Sequence, residues 1–340
     1  MSKVLVTGGT GFIGYHLVKA LTEGGHDITC LIRKTSRVEQ IRPFGVRFVE
    51  GDLSNRESLT EPLRDVQVVY HLAGTTKALR REDLYRTNET GVVELLEACR
   101  RTRHPPVVVL VSSLAAAGPT PAGRLILRTE KDPPSPVSFY GHSKRAGELA
   151  AEDRAGDIPI TIVRPAIVFG EWDRDCYLMF RPIRQWGLHL VPGYRRKYFS
   201  LIHAQDLVSL LMAAAERGER LPDPQNRDSA SGTGYYFAAG PENPTYGQLG
   251  KMMGAALGKR VLVLPIAPPV VWFVAAVNTL IAYLSRRPKA FSLDKVREAL
   301  AGSWACSSEK AARQLGFRVG ASLAERLKQT ADWYSAQGWL

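Results

Sequence analysis

Short apolar runs, each bounded by turn residues and followed by a helical period, recur through the first half of the chain. Residues 4–6, 27–32, 46–49, 66–71, 106–112 and 158–163 form these runs, and several are apolar on both faces, as strands buried in a parallel sheet require. Between them Ile13, Leu17, Val18 and Leu21, and later Leu84, Val92, Leu95, Leu96 and Cys99, fall at helical spacing. The alternation predicts an α/β fold, a Rossmann-type doubly wound parallel sheet with helices on both faces. After residue 170 the pattern loosens. Residues 119–138, rich in Pro, Gly and Arg, predict a loop able to cover a site, and 172–198 a substrate-binding insertion. Asp206, ahead of Leu207, Val208, Leu210, Leu211 and Met212, reads as a helix cap rather than a reacting carboxylate. Strands at 235–238 and 261–264, a helix from Thr245, and helices near 292–300, 307–315 and 322–337 predict a smaller mixed α/β C-terminal lobe. Residues 1–170 are therefore assigned to a nucleotide-binding domain and 171–340 mainly to a substrate lobe, with about 200–216 returning to the first core.

The turn after the first strand carries the densest chemical signal. Gly9, Gly11 and Gly14 fit G-x-G-x-x-G, and Gly8, Gly11 and Gly14 fit the wider G-x-x-G-x-x-G. Glycine lets backbone turn tightly and approach a pyrophosphate, while the amides of the following helix, opened by Phe12 and Ile13, carry partial positive charge. A glycine turn with no ligand meets the same spacing; the strand before it and the helix after it favour a dinucleotide. At the end of the second strand, where an acidic residue usually meets the ribose 2′-hydroxyl, stand Arg33 and Lys34. Two cations suit a 2′-phosphate and predict NADP(H), with NAD(H) the other candidate; a solvated basic loop is the competing reading.

Composition narrows the class. With 340 residues, 45% hydrophobic and 23% charged, the chain is neither disordered nor fibrous. Cys30, Cys99, Cys176 and Cys306 are far apart, which argues against a disulfide framework or a zinc site and for a reducing compartment, the cytoplasm by default. The first apolar residues are used as a strand and run straight into glycines, unlike a secretory signal. The net charge of +12 suits an anionic partner, but its cations are not interleaved with aromatics as in a nucleic-acid module, so no nucleic-acid partner is expected.

Tyr140 and Lys144 lie four apart, which on a helix places an ammonium under a phenol. A free phenol titrates near 10, and a cation beside it favours the phenolate, so the spacing predicts a tyrosine acid/base. Tyr70-His71-Leu72-Ala73-Gly74, Val111-Ser112-Ser113 with Gly118 beyond, the Tyr140-Gly141-His142-Ser143-Lys144 run, and Arg164-Pro165-Ala166-Ile167-Val168-Phe169-Gly170 occur in that order. Together with the glycine turn they resemble the extended short-chain dehydrogenase/reductases, the NAD(P)-dependent epimerase/dehydratase family. The match is dense in the first half and one of layout in the second.

The resemblance implies roles. Ser113, five before Gly118, would orient the substrate oxygen, Tyr140 exchange its proton and Lys144 hold the nicotinamide ribose, with Asn88 the active-site asparagine. Asp52 and Leu53 would lie beside the adenine, Leu72, Ala73 and Gly74 pass close to the cofactor, and Pro165 and Ile167 border the nicotinamide. A homodimer through the helices bearing Asn88 and Tyr140 is also implied. The Asp-Glu pair of the family's dehydratases is replaced by Leu114-Ala115-Ala116, and no asparagine follows Arg164 to hold a sugar diphosphate. The sequence is similar to the dihydroflavonol reductase and 3β-hydroxysteroid dehydrogenase branch, which predicts alcohol/carbonyl redox on a hydrophobic, steroid-like or polycyclic small molecule. A nucleotide-sugar epimerase and a non-enzymatic NADP sensor are the alternatives; a sensor would not need both Tyr140 and Lys144.

Residues 264–284 are the most apolar stretch and are followed by Arg286, Arg287 and Lys289. Prolines 265, 268 and 269 and the Asn278-Thr279 pair leave too short a run to span a bilayer comfortably. One reading makes it a helix that walls the substrate pocket, with Trp272 and Phe273 as contacts; the other lays 264–289 in a membrane interface as a peripheral contact.

Overall fold

The computed structural model describes residues 1–226, 231–289 and 291–340. Strand β1 (Lys3–Thr7) runs into the glycine turn and α1 (Phe12–Glu23), then β2 (Asp27–Ile32), β3 (Arg47–Glu50) and β4 (Val68–His71). Helix α2 (Arg81–Tyr85) passes through a π-helical turn, Arg86–Thr90, into α3 (Gly91–Arg100), followed by β5 (Val107–Val111), α4 (Leu114–Ala117), α5 (Phe139–Glu152) and β6 (Ile160–Pro165). The sheet is wholly parallel, and its seventh strand is β10 (Tyr235–Ala238), which pairs with β6 at the edge. Sequence pattern placed residues 235–238 as a strand but not in this sheet; the short run is buried on both faces and its partner is remote, so only the tertiary fold assigns it.

Two apolar layers hold the helices. On one face Leu17, Val18 and Leu21 of α1 pack with Leu207, Leu210 and Leu211 of α7 (Ala204–Arg217) against the sheet; on the other Leu95, Leu96, Ala150 and Ala151 of α3 and α5 do so. The smaller lobe begins with β7 (Ile167–Phe169), which pairs with β9 (Leu201–His203), and α6 (Arg174–Trp186). It continues with β8 (Leu188–Pro192), α8 (Tyr246–Ala256) and β11 (Leu262–Ile266), β8 and β11 forming a second small parallel sheet. Helices α9 (Pro268–Ser285), α10 (Leu293–Ala301), α11 (Glu309–Leu315) and α12 (Leu323–Ala336) complete the chain.

Two local expectations change. His203, not Asp206, caps α7; Asp206 is a buried carboxylate held by Arg326 of α12 at 2.7 Å and by the Gly320 amide at 2.9 Å, so it ties two helices together. Residues 119–138 do not cover the cavity described below. Arg128 pins them by donating to the carbonyls of Ala117 and Pro133, and bridges join Thr120 to Ser303 and Arg128 to Cys306.

Candidate active site

The strand order reverses at β1, between β2 and β4, and the C-terminal ends of strands at such a switch point are where open α/β sheets receive ligands. Gly8 and Gly14 there admit no side chain. A Cβ on Gly8, whose φ is +74°, would stand 2.6 Å from the Ala73 amide nitrogen, and one on Gly14 would stand 2.2 Å from the Gly8 carbonyl oxygen. Helix α1 begins at Gly11 with no side-chain cap and no acid in its first turn, which leaves its amides for an anion. The cradle therefore fits a pyrophosphate. Asp52 is held by the Ser54 amide and hydroxyl, which depress its carboxyl, with a smaller contribution from Arg33. Arg33 is exposed at the β2 end, while Lys34 turns toward Glu50 at 3.7 Å.

Asn88 lies in the π-helical turn, a distortion common at functional sites. It accepts from the Thr75 amide and donates to the Thr75 carbonyl and the Ser143 hydroxyl, each at 2.9 Å, which fixes the Gly74 loop against α5. Asn88 is not among the described residues that line the large cavity; its hydrogen bonds hold the Thr75 backbone and the Ser143 hydroxyl.

The serine pair separates by environment. Ser112 is buried and hydrogen-bonds Glu148, itself bound by Arg164 at 2.7 Å and Arg145 at 3.1 Å. Ser113 caps α4 and lines the cavity together with Tyr140. The cavity has a volume of about 700 Å³, with Ser113 and Tyr140 on it beside Pro165 and Ile167; further out, Leu178, Met179, Val191, Val263 and Pro265 make it mainly apolar.

The Tyr140/Lys144 geometry departs from the expected phenol-over-ammonium arrangement. Desolvation raises the Tyr140 pKa above the ordinary value, and Lys295 and the nearby Ser113 hydroxyl only partly oppose it. The cation facing the ring is Lys295 of α10, 4.9 Å from the ring centroid and held by Glu298 at 2.8 Å. Lys144 instead donates to the Val111 carbonyl at 2.8 Å, and a Cβ on Gly74 would lie 3.5 Å from its Nζ. Burial lowers the Lys144 pKa to about 8. Asp294, next to Lys295, accepts from the Phe139 and Tyr140 amides at 2.7 and 3.2 Å, capping the helix that carries the tyrosine. Nothing in the sequence flags these residues, since Asp294, Lys295 and Glu298 look like one turn of a solvated helix. His71 is buried against Thr7, which accounts for it structurally.

The comparisons agree with this frame. The model of the NAD dependent epimerase/dehydratase family matches residues 4–227. The ceramide reductase of Caulobacter vibrioides is 30% identical over 99% of this chain and 96% of its own length. The sterol demethylase protein B of Methylococcus capsulatus is 26% identical over 99% of both. The fold matches that of UDP-glucuronic acid 4-epimerase from Bacillus cereus, with a TM-score of 0.76 at 20% identity over 98% of this chain and 99% of that one. The chain thus belongs to the NAD dependent epimerase/dehydratase family and is an NAD(P)-dependent oxidoreductase of the extended short-chain dehydrogenase/reductase type.

Proposed function

We propose that this enzyme interconverts an alcohol and a carbonyl on a large apolar substrate, with Tyr140 as acid/base and NADP(H) as the preferred cofactor. One observation carries the reading: Ser113 and Tyr140 lie together on a mainly apolar cavity of about 700 Å³. A cavity of that size and lining suits a sterol-like or long-chain molecule held by apolar contact, its reacting oxygen at the two hydroxyls. The names of the relatives, a ceramide reductase and a sterol-processing protein, support a hydrophobic substrate.

The cofactor, when bound, supplies or accepts the hydride. The first turn of α1 and the Gly8–Gly14 cradle would hold its pyrophosphate, Asp52 and Leu53 its adenosine end, and Leu72, Ala73 and Gly74 its path across the sheet. Arg33 would take a 2′-phosphate, and Lys144, Pro165 and Ile167 would flank the nicotinamide riboside. In reduction Tyr140 donates its proton to the substrate oxygen while Ser113 donates a hydrogen bond to the same oxygen; in oxidation the phenolate takes the proton back. The raised Tyr140 pKa suits the proton-donating direction at neutral pH. Turnover of NADPH with apolar ketones, compared between wild type and Tyr140→Phe, tests the reading, and equal rates would overturn it. Arg195 and Arg196 on the cavity favour one second reading, an anionic diphosphate-bearing sugar and epimerisation. Tight NAD(H) that is never released, with UDP-sugars as the only substrates, would establish it instead.

A further inference from the structure

Helix α9 is left largely uncovered by the fold. Only 17% of its 18-residue apolar window is buried, and Phe273 is 69% exposed, Leu280 60% and Leu284 77%. Its contact with the rest of the lobe is a small cluster of Val271 and Ala275 with Val296 of α10. None of its residues lines the cavity among those described, so Trp272 and Phe273 are not the pocket contacts the sequence suggested. The apolar face extends onto the sheet beside it. Strand alternation sends Val191, Val263 and Pro265 to the cavity and Leu190, Leu262 and Leu264 to the other side, where they are 47%, 61% and 38% exposed. The partition between cavity and outer face is one two-stranded sheet thick.

Charge identifies the occupant. Residues 174–197 and 243–293, which supply α6, β8, α8, β11 and α9, contain twelve Lys and Arg against one acid, Asp175, nearly the whole of the +12 net charge. Arg286, Arg287 and Lys289 follow α9 directly, and Arg195 and Arg196 lie exposed on the cavity next to Tyr194. Exposed large apolar side chains on a helix and the strands beside it, set among a large excess of cations over carboxylates, match a bilayer of anionic phospholipid. On such a surface the helix would lie flat rather than cross. Its end is tied back at once, because Thr279 accepts from the Leu293 amide and the next residue, Asp294, caps the Tyr140 helix. Prolines at its first two positions, followed by Val270, Trp272 and Phe273, and Tyr283 and the arginines at its far end fit interfacial depth.

We infer that the lobe docks on anionic phospholipid membranes through α9 and the outer face of β8–β11, with the cavity opening at the docked surface. That the bilayer then supplies the substrate rests on the redox reading above; the docking does not. The same hairpin carries Phe291, Lys295, Glu298 and Ala299 on the cavity, so docking would also steady the site.

The test is sedimentation with vesicles of phosphatidylcholine alone or with phosphatidylglycerol added. Wild type should pellet with the anionic vesicles at low salt and less at high salt, each interfacial cation being worth about fivefold. Phe273→Asp with Leu280→Asp should weaken partitioning by about tenfold or more per residue, with an unchanged thermal transition and unchanged turnover of a water-soluble ketone. Arg286→Glu with Arg287→Glu should lose only the preference for anionic lipid. Wild type left in the supernatant with every vesicle would overturn the docking, as would Asp variants that pellet like wild type. A dimer in gel filtration that the Asp variants convert to monomer would also overturn it, by showing a second copy on this face. A protein that pellets as expected yet reduces no carbonyl refutes the redox reading and leaves the docking standing.

Discussion

The cofactor half and the α9 region solve burial in opposite ways. Around the sheet even charge is enclosed: Glu148 is fully buried yet bound by Arg164, Arg145 and Ser112, so its carboxyl stays ionised below the usual range because those partners outweigh the burial that would raise it. Around α9 the reverse holds, with large apolar side chains facing outward and, among the described residues, a cluster of three buried ones, Val271, Ala275 and Val296, beneath. The contrast shows that the first region is specified by its own interior, whereas the second keeps its apolar side chains outward, where the proposed bilayer would cover them.

The sharpest break of the comparison is at the hydroxyl that both regions meet. Tyr140→Phe should reduce kcat for carbonyl reduction by about 100- to 10,000-fold while cofactor affinity, measured by fluorescence titration, stays close to wild type. Stability separates the regions next. Glu148→Ala strands buried Arg164 and should cost about 3–5 kcal/mol in denaturant unfolding, whereas Leu280→Ser on exposed α9 should change stability by no more than about 0.5 kcal/mol. Comparable losses in the two variants would erase the distinction drawn here.

Within the cofactor half, Arg33→Asp should invert a preference for NADP(H), shifting the ratio of the two dissociation constants by about tenfold to hundredfold; a wild type that binds NAD(H) as tightly would refute the assignment. From the lobe's side, Lys295→Met should slow alcohol oxidation by about tenfold and move the limb where Tyr140 loses its proton to higher pH, with Lys295→Arg restoring both. An unchanged pH profile would make Lys295 structural only. The smallest effect is one of pH in the wild type. Lys144, lowered by burial to about 8, is charged below that value and neutral above it, so reductive kcat/KM should decline as pH rises through about 8. Lys295→Met should leave this limb in place, since Lys144 bonds the Val111 carbonyl and not Lys295.

The chain's own pattern determined the parallel sheet, the glycine cradle and the Tyr140 candidate, because each is local: a strand period, a turn that excludes Cβ, a helical four-residue step; the choice of Ser113 came from the family resemblance. It also marked 264–284 as anomalous, since that stretch is apolar beyond what a core helix of the lobe needs. Only the tertiary structure placed β10 in the main sheet, turned Asp206 from a cap into a tie to Arg326, and set Lys295 rather than Lys144 over the Tyr140 ring. Those outcomes join residues 73, 120 and 155 positions apart. Such distances are closed by packing and hydrogen bonds summed over the whole fold, and no window of the sequence contains both partners.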